Sequence, residues 1–196
     1  MSNQPTPDNT PDGLPDLSPA ADHFEMLGLP RQFDLSEEEV RSAYRRLARD
    51  THPDRFAGAS EEVVARANEL SAAINAAYRV LLDPVSRASY VLTLAGGPGP
   101  EDVRDVPGNL LMQVMTLREL IEQDKQAGNE DSLKRHRQSV EGDRAAAIAR
   151  MQTLARTIDT VDAKDKTNLR MELNAIRYYD NLLVELARDP LTHPTD

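Results

Sequence analysis

The most regular feature of the sequence is an apolar stripe between residues 63 and 81. Its members follow one another at intervals of four and three residues: Val63, Ala67, Leu70, Ile74, Ala77 and Leu81. This spacing places all of them on one side of an α-helix, because an α-helix turns once every 3.6 residues. No stretch long enough to form a β-strand shows apolar and polar residues in alternation. The sequence therefore predicts an all-α protein.

Residues 21–95 are predicted to form four helices, each beginning at a residue that can cap a helix. The predicted starts are Asp22, Ser36, Ser60 and Asp83. Asp22 and Ser36 are each followed three residues later by a glutamate, which is the spacing of a capping box. The fourth helix is expected to end at Gly96-Gly97. These residues are predicted to form a first domain.

The rest of the chain divides by composition. Residues 96–108 are rich in glycine and proline and are predicted to be a linker. Helical stretches at about 109–127, 130–159 and 162–188 predict a three-helix bundle over residues 109–190. Residues 1–20 contain five prolines and three aspartates and are predicted to be a disordered tail. Residues 191–196 form a second predicted tail.

Composition excludes several classes of function. The chain has no cysteine, so disulfides and thiolate ligation of zinc or iron–sulfur clusters within it are impossible. Neither a metal site nor a cofactor is expected. The net charge of −10 argues against nucleic-acid binding, which needs a basic surface. No apolar run is long enough to cross a bilayer and no signal peptide is evident, so a cytoplasmic protein without membrane contact is expected.

A local basic segment stands out against this acidic background. Residues 41–49 contain four arginines and no acid. Arg41, Arg45 and Arg49 are spaced four apart and lie along one helix face, with Arg46 beside them. The loop that follows contains His52-Pro53-Asp54. A basic face that ends in a fixed polar turn suits docking on an acidic protein surface. Taken alone, the face could equally be solvated and His52 an ordinary turn residue.

Four motifs in this region resemble a J-domain. They are Tyr44–Ala48, His52–Arg55, Ile74–Leu81, and Asp83-Pro84 with Arg87. The resemblance implies a four-helix domain in which the second and third helices form an antiparallel finger. It also implies docking on a DnaK-type ATPase chaperone and stimulation of ATP hydrolysis by that chaperone. The implied chaperone-binding residues are His52, Pro53, Asp54, Arg41, Tyr44, Arg45, Arg46 and Arg49. Asp50 departs from the pattern, since many J-domains have a basic residue there.

The remaining sequence is similar to the HscB family of J-domain co-chaperones. It lacks a Gly/Phe-rich segment and a cysteine-rich region, and three further stretches match: His23–Pro30, Arg87–Gly96 and Leu111–Glu119. This similarity implies a C-terminal domain that binds the iron–sulfur scaffold protein IscU and delivers it to a DnaK/HscA-type chaperone. The implied client-binding residues are Leu111, Met112, Met115, Glu119 and Tyr178. Thr116 and Tyr178 replace an acid and a phenylalanine that the family often has.

The residues themselves support an exposed patch on the first helix of the C-terminal domain. Leu111, Met112 and Met115 lie within about one helical turn of each other. A second stripe, containing Val114, Leu117 and Ile121, can face the core. A helix that is apolar on two sides has more apolar surface than its own bundle needs, and methionine adapts well to a binding surface. The alternative is that all of these residues are core.

Three other functions are compatible with parts of the sequence. One is a J-domain co-chaperone with a different client, and another is a helical scaffold protein whose J-like half is inactive. The third is an enzyme, for which His136 near Asp143 is a candidate acid–base pair without a supporting constellation. No catalytic residue is predicted, because a solvated helix face explains that pair.

Overall fold

The computed structural model describes residues 13–188, and within that range its regular structure is entirely helical. The helices are α1 (His23–Leu27), α2 (Glu37–Asp50), a 3-10 helix (Pro53–Phe56), α3 (Glu61–Leu82), α4 (Pro84–Leu94), α5 (Leu110–Gln126), α6 (Glu130–Arg156) and α7 (Ala163–Ala187). The predicted all-α class is confirmed. The chain divides into two compact units, Met1–Val91 and Leu92–Asp196. The tail predicted for residues 191–196 lies outside the described residues, as do residues 1–12.

Side-chain caps fix where the helices of the first unit begin. The Asp22 carboxylate accepts hydrogen bonds from the backbone N–H groups of Phe24 and Glu25. The Ser36 hydroxyl accepts from the Glu39 N–H, and the Glu39 carboxylate accepts from the Ser36 N–H at 2.7 Å. Both predicted capping boxes are present, and each satisfies backbone donors that have no partner inside the helix.

The core of the first unit lies between α2 and α3, with α1 packed on α3. Five of the six predicted stripe positions on α3 are fully buried, and only Val63, at the start of the helix, is partly exposed. From α2, Val40, Ala43 and Leu47 face them. Each fully buried leucine contributes about 1.5–3 kcal/mol relative to an exposed one. The apolar stripe is therefore what pairs α3 with its neighbours.

Arg87 fastens α4 to the segment that leads into α2. Its Nη1 donates a hydrogen bond of 2.8 Å to the Leu35 carbonyl, and its guanidinium lies 5.2 Å from the centroid of the Phe33 ring. Burial lowers the pKa of Arg87, while the nearby carboxylates of Asp34 and Asp83 favour its charged form. The motif residue Arg87 thus has a structural role, that of holding a buried loop.

Part of the segment predicted to be a disordered tail, residues 14–17, packs against the first unit. Leu14 is fully buried in a cluster with Phe56, Ala67 and Leu70, and Leu17 packs at its edge. The composition of residues 1–20 is typical of a tail, yet a single leucine is enough to fill a gap at the end of a helix pair.

The second unit is a bundle of α5, α6 and α7. Its core contains Val106 from the segment before α5 and residues from all three helices: Leu110, Val114, Ile121, Val140, Ala175, Leu182 and Leu186. The turn between α5 and α6 contains Gly128, whose φ of 65° lies in the left-handed region that favours glycine. Arg144 and Asp180 form an ion pair that joins α6 to α7. The described helices of this unit agree with the predicted three-helix bundle.

The segment predicted to be a linker is bound along α7. Side chains of Lys166, Arg170 and Asn174, spaced four residues apart on α7, donate hydrogen bonds to backbone carbonyls between residues 95 and 105. The N–O distances are 2.7 Å from Lys166 and 3.0 Å from Arg170. Because these bonds satisfy the carbonyls of an irregular segment, residues 95–105 form a structural part of the second unit.

Within residues 13–188, no helix combines the length and the apolar character that a bilayer span requires.

Candidate functional site

The loop that follows α2 is built around a capping histidine. Helix α2 ends at Asp50 and is capped by Thr51, whose buried hydroxyl donates to the Leu47 carbonyl at 2.9 Å. His52 then caps the 3-10 helix, with Pro53 at its first position, where proline needs no hydrogen bond. Phe56 closes this short helix and is buried. The predicted site residues His52 and Asp54 are thereby held on a turn that is anchored at both ends.

His52 and Asp54 project from this turn into solvent. Their side chains are 59% and 90% exposed. The Asp54 N–H donates to His52 Nδ1 at 3.3 Å, and the Asp54 carboxylate lies 3.6 Å from the same nitrogen. An Nδ1 that accepts a bond leaves the proton of a neutral imidazole on Nε2. This arrangement presents one N–H donor and one carboxylate acceptor to a partner.

Three of the four arginines of α2 are paired with acids of the same helix. Arg41 contacts Glu37, and Arg45 Nη2 lies 2.6 Å from the Glu38 carboxylate. Arg49 lies 3.5 Å from Asp50. The hydrogen bond and the charge of Glu37 raise the pKa of Arg41. Helix α2 contains four arginines and four acids, so its positive charge is local rather than net.

Arg46 is set apart from the other three arginines. Its Nε and Nη2 atoms are buried and lack a hydrogen-bond partner in the described chain. A Cβ placed on Gly28 would lie 3.6 Å from Nη2, so the guanidinium passes beside the glycine that ends α1. This placement favours a packing role between α1 and α2 for Arg46, and Arg41, Arg45 and Arg49 form the exposed basic face.

Tyr44, the remaining predicted member of the chaperone site, joins α2 to α3. Its ring stacks on that of Tyr78, with centroids 4.0 Å apart, and its hydroxyl donates to Asn75 Oδ1 at 2.9 Å. Arg41 Nη1 donates to the Tyr78 hydroxyl at 3.0 Å. These pairs show that α2 and α3 are antiparallel, because the partner number falls as the residue number rises. Asn75 and Tyr78 thus support the basic face, a role that sequence reasoning missed.

Helix α5 buries one face and exposes the other. Leu110, Val114 and Ile121 are buried in the bundle core. On the opposite side Leu111 is 48%, Met112 71% and Met115 65% exposed. At about 100° per residue, Leu111, Met112, Met115 and Glu119 fall within one sector of roughly 100°. We call this sector the α5 patch; the alternative that its apolar residues are core is wrong.

Tyr178 on α7 differs from the α5 patch in its burial. It is partly buried and packs against the bundle core. Arg118 pairs with Glu185 at 2.8 Å, and Lys125, farther along α5, donates to the Arg188 carbonyl at 2.8 Å, so α5 and α7 run side by side in the same direction. Seven residues separate Leu111 from Arg118 and Tyr178 from Glu185. Two helical turns therefore bring Leu111 and Tyr178 to the same level of the bundle.

Three other side chains of the second unit, those of Leu120, Val184 and His136, are not part of the α5 patch. Leu120 and Val184 are exposed apolar residues that the sequence analysis did not single out, and Leu120 lies outside the sector of the α5 patch. His136 Nε2 lies 2.8 Å from the Asp124 carboxylate rather than beside Asp143. This contact joins α6 to α5, and the proposed acid–base pair of His136 with Asp143 is not formed.

A small helical domain with an antiparallel finger and His52-Pro53-Asp54 at its turn defines a J-domain protein. The comparisons agree, since a family model described as DnaJ domain matches residues 22–90. A second model, described as HSCB C-terminal oligomerisation domain, matches residues 106–187.

Relatives that match along the chain are HscB proteins. The co-chaperone protein HscB homolog of Burkholderia multivorans is 38% identical over 133 residues, which cover 67% of this chain and 76% of the relative. The co-chaperone protein HscB of Proteus mirabilis is 38% identical over 99 residues, covering 50% of this chain but only 57% of that relative. The chain belongs to the HscB family of J-domain co-chaperones.

Solved structures show the same architecture. The chaperone HscB from Vibrio cholerae superimposes with a TM-score of 0.70 at 29% identity, covering 85% of this chain and 95% of that chain. The human co-chaperone protein HscB gives a TM-score of 0.72 at 23% identity, covering 91% and 87% of the two chains. The human protein supports the fold, and the bacterial one supports the family as well.

Proposed function

We propose that this protein binds an IscU-type iron–sulfur scaffold, delivers it to a DnaK/HscA-type ATPase chaperone and stimulates that chaperone's ATP hydrolysis. The observation that carries the proposal is that a J-domain and an exposed apolar patch on α5 occur in one chain. The protein has no catalytic role in this scheme, because the chaperone hydrolyses the ATP and the scaffold holds the cluster. The proposed place of action is the cytoplasm.

The chaperone would dock on α2 and on the loop after it. Arg41, Arg45 and Arg49 attract an acidic surface, and charge attraction of this kind raises the rate of encounter. The exposed His52 and Asp54 then fix orientation, because a donor and an acceptor on a rigid turn can be satisfied in only one arrangement. The Tyr44–Tyr78 stack keeps α2 in register with α3 while the partner binds.

The scaffold would dock on the α5 patch. Leu111, Met112 and Met115 together offer the apolar, adaptable centre that protein interfaces place at their core. Glu119 lies in the same sector and supplies a polar margin. Tyr178, at the level of Leu111, contributes a ring whose inner side is already packed and therefore loses little conformational entropy on binding.

The chaperone-docking surface and the scaffold-docking surface belong to one chain, which raises the effective concentration of the scaffold near the chaperone. A scaffold held by the second unit is presented to the chaperone held by the first at a high effective concentration, which two separate proteins would not achieve. Stimulation of ATP hydrolysis then takes place while the client is present. Neither surface needs a cofactor for this task.

The chaperone half of the proposal is tested by replacing His52 with glutamine. Steady-state ATP hydrolysis by the chaperone is measured with increasing amounts of wild-type or H52Q protein. We expect the variant to lose nearly all stimulation while still binding the scaffold, because His52 lies in the first unit. Equal stimulation by both proteins would contradict the proposal and favour a helical scaffold protein with an inactive J-domain.

The client half is tested by direct binding. Isothermal titration calorimetry of the wild-type protein with an IscU-type scaffold is expected to show a one-to-one complex. If a folded protein gives no signal at concentrations on the order of 10 µM, the client assignment is wrong. In that case ATPase stimulation would identify a J-domain co-chaperone with a different client.

A further inference from the structure

The segment that precedes α1 packs against the N-terminal half of α3 and against Phe56, which follows the His52-Pro53-Asp54 loop. Leu14 is 0% exposed, and Pro15 beside it is also buried. Leu17 packs at the edge of the same cluster with Val63 and Val64. We call residues 13–17 the strap. Nothing in the proposed function described so far uses it.

An ion pair, a backbone hydrogen bond and Pro15 hold the strap in place. Asp16 lies 3.8 Å from the Arg66 guanidinium on α3. The Leu17 N–H donates to the Pro15 carbonyl at 2.9 Å, which turns the chain and brings Leu17 back toward α3. Pro15 restricts the unfolded chain, so less conformational entropy is lost when the strap docks. The strap is therefore a specific contact rather than a loose covering.

The position of Leu14 connects the strap to the loop. Leu14 shares its cluster with Phe56, the last residue of the 3-10 helix that His52 caps. Only one residue separates Phe56 from Asp54 in the sequence. Without Leu14, the Phe56 ring would lose a wall of its pocket, and the 3-10 helix would be less firmly anchored to α3.

We infer that Leu14 is a positioning residue for the His52-Pro53-Asp54 loop, acting through Phe56, and that the strap keeps the loop in its docking conformation before the chaperone arrives. This inference rests on the proposed stimulation of a chaperone. A partner that binds one conformation binds more weakly when that conformation is only partly populated, in proportion to the population lost. Removing Leu14 therefore raises the concentration needed for stimulation and leaves the maximal rate unchanged.

The test is Leu14→Ala in the full chain, with Leu120→Ala as the matched control because Leu120 is an exposed leucine of the second unit. The concentration of L14A that gives half-maximal ATPase stimulation is expected to rise roughly three- to tenfold, with an unchanged plateau. Leu14→Met, which refills the site, is expected to restore it. Circular dichroism reports the folded fraction of each variant.

An independent readout concerns the loop itself. Backbone 15N relaxation is expected to give lower order parameters for Asp54, Arg55 and Phe56 in L14A than in the wild type, with α2 and α3 unchanged. If L14A does not fold, Leu14→Val makes a smaller change at the same site. A folded variant with wild-type order parameters and an unchanged half-maximal concentration would overturn the inference.

The proposed function and the role of the strap can each fail without the other. If the wild-type protein fails to stimulate the chaperone, the proposed function is wrong, while the order parameters still decide whether the strap holds the loop. If the wild-type protein stimulates and L14A behaves like L120A in both measurements, the strap has no positioning role and the proposed function stands.

Discussion

Helices α2 and α5 each bury one face and show the other to solvent, yet the exposed faces are opposite in character. On α2 the exposed side chains are arginines already paired with Glu37 and Glu38. On α5 they are the apolar side chains of Leu111, Met112 and Met115, each about half exposed or more. Paired surface charges are stable in water, whereas an exposed apolar patch gains free energy only when something covers it.

This difference predicts different kinds of recognition. A charged face speeds association and is weakened by salt. An apolar face instead contributes to affinity through the area that it buries, and dissociation is slow when the fit is good. The contrast fits the proposed function, in which the client stays bound to this protein while the chaperone binds and dissociates.

The largest effect is expected from emptying the α5 patch. Met112→Ser together with Met115→Ser should weaken binding of an IscU-type scaffold by roughly 30- to 100-fold, since removing central apolar contacts costs about 2–3 kcal/mol. Calorimetry at two salt concentrations measures this, and we expect the loss to be the same at both. ATPase stimulation in the absence of scaffold should remain at the wild-type level.

Val184→Ser is the matched control for this double variant. Val184 is an exposed apolar residue on α7 that the α5 patch does not include, and it is 52% exposed. Its replacement is expected to leave scaffold affinity unchanged. An equal loss of affinity in V184S would show that the scaffold binds a different or much larger face of the bundle.

The two sides of α5 illustrate how much of the structure can be predicted from the sequence. The separation of Val114 and Ile121 from Met112 and Met115 follows from helical periodicity alone, and the structure agrees. Leu120 was not anticipated as exposed, because its position on the bundle depends on where α6 and α7 lie. Periodicity gives the faces of a helix but not the partner of each face.

Contacts between distant segments could not be predicted. The bonds from Lys166, Arg170 and Asn174 to residues 95–105 span about seventy positions, and no local pattern encodes them. Leu14 was hidden in a segment of tail-like composition for the same reason. On α2, the window of residues 41–49 stopped short of Glu37 and Glu38, so the pairing of the arginines was overlooked although it is local.

A smaller effect is expected from reversing one charge on α2. Arg45→Glu should raise the co-chaperone concentration for half-maximal ATPase stimulation about tenfold at low ionic strength, because attraction to an acidic surface becomes repulsion. The same charge reversal at Arg104, an exposed residue of the second unit, is the control. The effect should shrink as salt approaches 1 M, where the Debye length falls to about 3 Å. A salt-independent loss would mean that Arg45 acts by direct packing rather than by charge.

The smallest effect tests whether Glu38 competes with the partner for Arg45. In the free protein this arginine is bonded to the Glu38 carboxylate at 2.6 Å, and both side chains are largely exposed. Exposed pairs of this kind contribute only about 0.2–1 kcal/mol, so the bond can be exchanged for one to the chaperone. Glu38→Gln should lower the half-maximal concentration by about two- to threefold at low salt and leave the plateau unchanged.

The opposite result would be equally informative about the comparison. If E38Q docks more weakly than the wild type, Glu38 holds Arg45 in the orientation that the chaperone needs, and the pair is preorganised rather than competing. Glu39→Gln cannot serve as the control, because Glu39 caps the helix through Ser36. Glu61→Gln, in the first turn of α3, removes an exposed acid of the same unit without touching the arginines of α2, and it should leave docking unchanged.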